Sequence, residues 1–394
     1  MSGAVLDVSA PMIDDVIRLR RDFHMHPELG FEELRTAGIV ADRLKALGYE
    51  VRTGLAQTGV VGVLRTNKPG GTILLRADMD GLPLHEQSDV EFASRESGKM
   101  HACGHDGHVA ILLGAAQMIM ERRELLCGTI VLCFQPAEEG KGGAKAMIED
   151  GVLDDPHVDK VYGLHLASLY PVGVVAVRPG PVMASSDSIE VTIRGRGGHG
   201  AAPHQTVDPI LTAAHFVTSV QSVVSRAVDP IQPAVVTIGA IHGGTIHNVI
   251  PDDVSMLGTV RAFDPSVREQ MKPRIEAVLK GCCEGAGASY DYDYLWRYPV
   301  TVNDAAEAAY VAGLAAKTLG PSRSVEFERT MGAEDFSFML EQRPGAFFFV
   351  GSQSGPATAV AHHNAKFAID ERCLEAGVRM MTALALDAPK VPEG

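Results

Sequence analysis

The order of two kinds of segment constrains the fold of this chain more than any other feature. Short apolar, β-branched runs alternate with longer segments of helical periodicity over the first 180 residues or so. The predicted strands are 60–64, 72–76, 129–134, 161–164 and 172–177, and the predicted helices are 13–24, 32–47, 105–120 and 142–149. Strands that alternate with helices of this length favour an α/β layer structure with a largely parallel sheet.

The middle of the chain follows a different pattern. Its predicted elements are strand 188–194, helix 208–225, strands 235–241 and 254–263, helix 266–283 and strand 290–295. This β-α-β-β-α-β order is that of the ferredoxin-like unit, which can fold as an independent domain. Helices 305–319, 334–341 and 371–386 and strand 346–350 then return to the first pattern. We therefore predict a two-domain α/β protein: a domain with a mixed, mostly parallel sheet at 1–184 plus 298–394, and an inserted α+β domain at 185–297.

Charge and composition exclude several classes of protein. The chain has 35 Lys and Arg residues and 49 Asp and Glu residues. This excess of negative charge argues against a nucleic acid or an anionic membrane as partner, because both require a basic surface. The longest apolar stretch, 109–120, is shorter than the roughly 20 residues that span a bilayer. The first residues lack the basic region of a signal peptide, and six cysteines in 394 residues form no disulfide framework. We expect a cytoplasmic protein.

Residues able to perform chemistry follow the predicted strands. The strand-end residues are Asp78 and Asp80 after 72–76, Glu138 and Glu139 after 129–134, His165 after 161–164, and His362 and His363 after 346–350. Another cluster, from His101 to His108 with Cys103 and His105 between them, precedes an apolar helix. Because ligands of open α/β sheets bind beyond the carboxyl ends of the strands, we expect these side chains to converge.

Such a set of side chains predicts metal chemistry. Cysteine, histidine and glutamate are the ligands of Zn²⁺ and related divalent ions, and carboxylates can extend the set to a second ion. Of the adjacent glutamates, Glu139 would bind metal and Glu138 would act as general base on water. Two metal ions that share a hydroxide and polarise a carbonyl group hydrolyse amides.

Nine segments carry a resemblance to a known family. They are RRDFHMHPELGFEE, LLRADMDGLPLHE, MHACGHDGHVAILLGAA, FQPAEEGKGGAKAMIEDG, GRGGHGAAPHQTVDPI, NVIPD, GTVRAF, MGAEDFSFM and HHNAKFAIDE. In this order they resemble the M20 metallopeptidases, within them the amidohydrolase branch of hippurate hydrolases, N-acyl-amino-acid amidohydrolases and auxin-conjugate hydrolases. The resemblance covers nearly the whole chain, and it implies the same two-domain layout with the inserted domain as lid and dimer contact.

The resemblance also implies a metal centre. Its ligands would be Cys103, His105, Glu139, His165 and the histidine before Asn364, with Cys103 as a bridging thiolate whose pKa the metal and the following helix lower. The family more often has one histidine at the last position, where this chain has His362 and His363, and we select His363 because it adjoins Asn364. Asp80 would support a metal-bound imidazole. Two divalent ions per subunit are expected: thiolate and imidazole favour Zn²⁺, Ni²⁺ or Co²⁺, and family members also use Mn²⁺.

The inserted domain would supply three further residues. His199 matches a histidine that reaches the active site of the other subunit and donates a hydrogen bond to the oxyanion. Asn248 and Arg261 match residues that hold the carboxylate of the substrate. The resemblance therefore implies a small N-acyl amino acid as substrate and a homodimer or homotetramer as the assembly.

Rival interpretations come from the same residues. Cys103 beside several histidines could be the nucleophile of a cysteine amidase. Gly195, Gly197 and Gly200 spell a dinucleotide-binding pattern, but Pro203 and a late helix fit it poorly. A dipeptidase or deacetylase of the same family, or a metal-bound protein without catalytic activity, would carry the same ligand set. We predict a metal-dependent hydrolase of linear, non-peptide amide bonds.

Overall fold

A computed structural model describes residues 6–389. Its strands are β1 (Glu50–Leu55), β2 (Gly59–Arg65), β3 (Thr72–Asp78), β4 (Thr129–Gln135), β5 (Lys160–Pro171), β6 (Val175–Val177), β7 (Gly180–Met183), β8 (Ser186–Arg194), β9 (Gly198–His199), β10 (Ala234–His242), β11 (Val249–Ile250), β12 (Asp253–Ala262), β13 (Ser289–Tyr298), β14 (Thr301–Asn303), β15 (Ser324–Glu326) and β16 (Gly345–Gln353). Its helices are α1 (Ala10–Met25), α2 (Leu34–Leu47), α3 (His105–Glu121), α4 (Glu138–Lys141), α5 (Gly143–Glu149), α6 (Pro209–Ser219), α7 (Pro265–Ala286), α8 (Ala305–Leu319), α9 (Ser337–Leu340) and α10 (Cys373–Asp387).

The chain forms two compact units, the first of which contains the large sheet. This unit comprises the chain up to Val182, then Val302–Glu328, and the chain from Asp335 on. Its sheet has the order β1-β2-β4-β3-β5-β16-β6-β15. The central strands β4, β3, β5 and β16 are parallel to one another, whereas β1, β2 and β4 pair in antiparallel fashion. The predicted mixed, mostly parallel sheet is confirmed.

Helix α3 lies at the centre of the first unit. Almost every residue of it is buried, because it packs on α1, α10 and strand β3 at once. An apolar surface on all sides is what such a position requires. Gly114 permits this packing, since a Cβ atom there would lie 2.6 Å from a methyl group of Val16 and 2.9 Å from one of Val378. The first residue of this rigid helix is His105, so packing fixes one side chain of the predicted site.

The second unit comprises Met183–Thr301 with Arg329–Glu334. Its four-stranded antiparallel sheet has the order β10-β12-β8-β13. Helices α6 and α7 pack on this sheet through one apolar cluster that includes Ile193, Phe216 and Ile275. This is the strand order of the ferredoxin-like fold. A small pair, β9 with β11, forms beside the main sheet.

Three predicted elements differ from those observed. The strand predicted at 172–177 is shortened to β6 (Val175–Val177), because positions 172–174 form the turn that follows β5. The helix predicted at 334–341 shrinks to α9, since the Asp335 carboxylate is used in buried hydrogen bonds with Gln135 and Ala144. The helix predicted at 208–225 is α-helical as far as Ser219 and is followed by a π-helical turn at Val223–Ala227. No helix within residues 6–389 has the length and apolar character that crossing a membrane requires.

Candidate metal centre

The carboxyl ends of the four central strands supply most of the predicted site. Strand β3 leads to Asp80, β4 leads to Glu138 and Glu139 in the short helix α4, and β5 carries His165. The loop after β16 carries His363. Because these strands are neighbours and parallel, their ends meet at one edge of the sheet. Gly104, the N-cap residue of α3, has φ +96°, a left-handed conformation that favours glycine, and lies between Cys103 and His105.

One group of ligand atoms consists of Cys103, His105 and His165. These atoms all lie within 4.8 Å of one another, and the Cys103 Sγ is 3.4 Å from Nε2 of His165. The carbonyl oxygen of Leu166 accepts a hydrogen bond from Nδ1 of His165 at 2.7 Å, which leaves Nε2 as the lone-pair atom. The backbone oxygen of Asp80 accepts from Nδ1 of His105 at 2.9 Å, so a neutral His105 ring has its lone pair on Nε2.

A second group shares the same sulfur atom. Cys103, Glu139 and His363 also have ligand atoms within 4.8 Å of one another, and Nε2 of His363 is 3.0 Å from Oε1 of Glu139. Asp80 connects the two groups, because its Oδ2 accepts from the backbone N–H of Glu139 at 2.9 Å while its Oδ1 is 3.3 Å from Nδ1 of His105. The arrangement therefore places one thiol between two sets of ligands.

The two glutamates lie on an irregular turn. Ala137 has φ +56°, Glu139 has the non-helical values φ −69° and ψ 78°, and Gly140 has φ +78°. Carboxylate oxygens of Glu138 and Glu139 nevertheless both lie within 4.8 Å of a ring nitrogen of His105. Glu138 is buried, whereas Glu139 is part-buried. The turn thus directs two consecutive carboxylates toward one histidine.

Electrostatics of the polypeptide favour protons on some of these atoms and oppose them on others. Burial, and then the carboxylate of Glu139, raise the pKa of the Cys103 thiol. Hydrogen bonds with Cys103 and Glu139 raise the pKa of His363 to about 10. Burial lowers the pKa of His165 well below its ordinary value, with the neighbouring His108 and His362 acting in the same direction. The helix that follows Cys103 does not by itself stabilise the thiolate form of this residue. A bound cation would be needed to stabilise it.

The structure separates the two adjacent histidines of the last motif. His363 belongs to the ligand group with Glu139. His362 instead has Nδ1 3.2 Å from the backbone oxygen of Cys103, and its Nε2 accepts from the N–H of Ser168 at 3.5 Å. Burial lowers the pKa of His362 to about 4, so it is a neutral acceptor.

Asp78 and His108 lie next to the ligand residues, and sequence analysis assigned neither of them a role at the site. Oδ1 of Asp78 accepts from Nδ1 of His108 at 2.5 Å, and Nε2 of His108 accepts from the N–H of Leu166 at 2.9 Å. Asp78 also pairs with the buried guanidinium of Arg76 at 2.7 Å. Their spacing in the sequence could have indicated that they lie near the site. Asp78 precedes Asp80 by two residues, and His108 follows His105 by one helical turn.

The three predicted residues of the inserted domain lie in the second unit. Strands β9 and β11 pair His199 with Val249, and the N–H of Gly200 donates to the backbone oxygen of Asn248 at 2.8 Å. Both His199 and Asn248 are exposed. Nδ1 of His199 accepts from the N–H of Ala201 at 3.0 Å, so the neutral ring carries its proton on Nε2.

Arg261 lies elsewhere in the second unit, on β12. Its guanidinium donates to the hydroxyl of Ser186, and burial lowers its pKa. The dinucleotide-binding interpretation has no support here, since α6 begins only at Pro209, nine residues after the last glycine of the pattern.

The donor atoms of the first unit fit divalent metal ions. One thiol, three imidazoles and one carboxylate are the types that zinc and its neighbours bind. Among the described residues, Nε2 of His105 is buried without a hydrogen-bond partner and lies 3.4 Å from Oδ2 of Asp78, a position that favours a cation, either a proton or a metal ion. Burial opposes a charge on this ring, but Asp78 and Cys103 outweigh it and raise the pKa of His105 well above its ordinary value. These residues can therefore hold metal, and the buried Glu138 beside them can exchange a proton with water.

Comparison with known proteins agrees with this chemistry. A family model described as peptidase family M20/M25/M40 matches residues 74–387. The chain belongs to this family. Among the M20 relatives, thermostable carboxypeptidase 2 of Saccharolobus solfataricus is 44% identical over 95% of each chain. IAA-amino acid hydrolase ILR1-like 4 of Arabidopsis thaliana is 41% identical over 94% of this chain and 85% of that protein.

A solved M20 structure is similar over the whole length. The YXEP protein of Bacillus subtilis, described as a dinuclear metal binding peptidase, has a TM-score of 0.84 at 33% identity and covers 97% of this chain and 99% of its own. The predicted resemblance to the M20 amidohydrolase branch is confirmed. The protein is therefore a hydrolase of this family. Its reaction is the hydrolysis of amides, and it depends on divalent metal.

Proposed function

We propose that this protein is a binuclear metal-dependent amidohydrolase of small N-acyl amino acids. It would cleave the bond between the acyl group and the amino acid and release a carboxylic acid and a free amino acid. One observation carries the proposal: the Cys103 sulfur belongs to two separate groups of ligand atoms, one with His105 and His165 and the other with Glu139 and His363. Cys103 would therefore help to hold metal together with both groups, and its thiolate would supply negative charge there.

Five side chains would hold the ions, namely Cys103, His105, Glu139, His165 and His363. When bound, divalent ions polarise the amide carbonyl and lower the pKa of water. Asp80 would keep His105 in the tautomer that presents Nε2, because the Asp80 oxygens lie beside Nδ1. Zn²⁺, Ni²⁺, Co²⁺ and Mn²⁺ are the candidates, and the thiol and imidazole donors favour the first three.

Glu138 would move the proton during hydrolysis. Its carboxylate lies within 4.8 Å of a ring nitrogen of His105 without belonging to either group that includes the sulfur. It would accept the proton from the attacking water and return it to the departing nitrogen, so that the amine leaves neutral. Acid–base work of this kind requires a carboxylate that no ion occupies, and Glu139 takes the ligand role.

Residues of the second unit would recognise the substrate. Arg261 and Asn248 would bind its carboxylate, for which a guanidinium offers two parallel donors. The Nε2–H of His199 from the partner subunit would donate to the oxyanion that forms during attack. This arrangement needs a second copy of the chain, so we propose a homodimer, or a homotetramer built from it, with the inserted domain as lid and dimer contact.

Metal removal and restoration on a defined panel of substrates test the proposal. The panel contains hippurate, N-acetyl amino acids, indole-acyl amino acids and dipeptides, and the released amine is detected with ninhydrin. We expect chelation to abolish hydrolysis, two equivalents of Zn²⁺, Ni²⁺, Co²⁺ or Mn²⁺ to restore it, and N-acyl amino acids to be cleaved faster than dipeptides.

Other outcomes select other functions. Activity that survives complete metal removal would indicate a cysteine amidase that uses Cys103. A preference for dipeptides would indicate a peptidase, as the carboxypeptidase name of one relative suggests. Two bound ions without turnover of any panel member would point to a non-catalytic metal-binding protein.

A further inference from the structure

A buried carboxylate that is distant in sequence from the ligand residues forms a hydrogen bond with the turn that carries Glu138 and Glu139. Glu33 is fully buried at the start of α2. Its Oε1 accepts from the backbone N–H of Ala137 at 2.8 Å, across 104 positions of sequence, and its Oε2 accepts from the hydroxyl of Thr58 at 2.6 Å. A carboxylate at this depth is rare, and each of its oxygens has a specific donor.

The residue that Glu33 contacts has an unfavourable backbone. Ala137 has φ +56° and ψ 43°, a left-handed conformation that a residue with a Cβ atom adopts only when its surroundings impose it. Glu138 and Glu139 follow immediately. A relaxation of Ala137 to an ordinary conformation would rotate the next peptide units, and both carboxylates would then leave their places beside His105.

The segment 28–33 contacts this turn at further points. A Cβ atom on Gly30 would lie 3.0 Å from both Cα and Cβ of Ala137, so the two backbones are in close contact. The backbone oxygen of Gly30 accepts from Nζ of Lys141 at 2.7 Å. The backbone oxygen of Glu28 accepts from the N–H of Gly81 at 2.7 Å, directly after Asp80. One short segment thus holds the ends of two strands that carry site residues.

We propose that Glu33 is a positioning residue for amide hydrolysis, whose carboxylate holds Ala137 in its left-handed conformation and so directs Glu138 and Glu139 to the metal centre. The inference rests on the proposed function and adds a residue outside the reacting groups. Glu33 acts through one hydrogen bond to a backbone N–H. An amide oxygen can accept that bond, so glutamine should replace glutamate at this position.

The test uses the full chain and four variants. Glu33→Ala removes the acceptor, and Glu33→Gln keeps it. Thr58→Val removes only the hydroxyl that orients the carboxylate. Glu307→Ala is the matched control, since Glu307 is also a buried carboxylate of the first unit that accepts from a hydroxyl, that of Tyr162. Each variant is measured for kcat and KM on the best substrate of the panel, for Zn²⁺ affinity by competition with a chromophoric chelator, and for Tm.

We expect Glu33→Ala to lower kcat about 100-fold with KM changed less than about threefold, because misplaced catalytic groups lose rate rather than binding. Its Zn²⁺ affinity should fall about tenfold, as when support of a ligand is lost. Glu33→Gln should stay within about fivefold of the parent enzyme in kcat, since the hydrogen bond persists. Thr58→Val should lie between the two in kcat, and Glu307→Ala should lower Tm while keeping kcat and Zn²⁺ affinity.

The readouts separate two kinds of failure. An inactive parent enzyme that binds no Zn²⁺ would refute the proposed function. An active parent with Glu33→Ala indistinguishable from Glu307→Ala in kcat and Zn²⁺ affinity would overturn the role of Glu33 alone. If Glu33→Ala does not fold, Thr58→Val and Glu33→Gln decide: parent-like kcat in Thr58→Val, or a 100-fold loss in Glu33→Gln, contradicts the proposal.

Discussion

Nε2 of His363 lies 3.0 Å from Oε1 of Glu139, and both side chains share a group of ligand atoms with the sulfur of Cys103. Hydrogen bonds with Cys103 and Glu139 raise the pKa of His363 to about 10. The metal-free protein therefore carries an imidazolium at neutral pH where a metal ion requires a neutral ring. Protons and metal ions compete for this centre.

This competition predicts that metal affinity rises with pH. A ligand whose pKa is raised must lose its proton on binding, and both His363 and the Cys103 thiol have raised pKa values. We expect the Zn²⁺ affinity to increase at least about tenfold per pH unit between pH 6 and 8, with at least one proton released per site. Calorimetric titration in two buffers of different ionisation enthalpy measures the released protons. An affinity that is flat across this range would refute the assignment of these ligands.

Substitution of each of the two adjacent glutamates by glutamine should affect a different property, kcat in one variant and Zn²⁺ binding in the other. Glu138→Gln removes the proton acceptor but no ligand, so we expect kcat to fall about 1,000-fold while two Zn²⁺ ions still bind. Glu139→Gln removes an anionic ligand and should weaken Zn²⁺ binding instead. Metal content by atomic absorption, together with turnover at saturating Zn²⁺, distinguishes the pair. Loss of Zn²⁺ from Glu138→Gln would exchange the two roles.

The ion pair of Asp78 with Arg76 should be essential to stability. Burial raises the pKa of Asp78, but Arg76 and the neighbouring histidines outweigh it, and the net pKa is well below the ordinary value. Asp78→Ala should cost about 3 kcal/mol in the free energy of unfolding, because it removes one of the two carboxylates that pair with the buried Arg76 guanidinium and also the acceptor of Nδ1–H of His108. The exposed pair of Glu50 with Arg65 is the control, and Glu50→Ala should cost about 1 kcal/mol or less.

Urea unfolding at several pH values checks this prediction. A carboxylate with a lowered pKa stabilises the folded state above its unfolded pKa of about 3.9, so the cost of Asp78→Ala should be full at pH 7 and shrink only as pH falls below about 4. A cost equal to that of Glu50→Ala would show that the buried pair contributes nothing.

His199 should act on the transition state rather than on substrate binding. Its Nε2–H is the available donor because Nδ1 already accepts from Ala201. We expect His199→Ala to lower kcat about 100-fold with little change in KM. His204 is an exposed histidine of the same segment, and His204→Ala should leave both constants unchanged. A rise in KM with an unchanged kcat would instead assign His199 to substrate binding.

The ends of the central strands could be predicted from the sequence because local patterns of residues mark them. The apolar, β-branched runs before Asp80 and Glu138 mark buried parallel strands, and ligands collect where such strands end. The same reasoning failed for the helix predicted at 334–341, since Asp335 binds Gln135 from another part of the chain. Periodicity contains no information about a partner 200 residues away.

The sequence by itself determined the residue types of the metal centre, the alternation that produces a parallel sheet, and the family. These follow from local composition and spacing, which the chain carries before it folds. Only the tertiary structure decided that His363 rather than His362 faces Glu139, that one sulfur joins two ligand groups, and that Glu33 supports Ala137. Each of these depends on atoms brought within a few ångström by packing of distant segments, where a single backbone angle redirects a side chain.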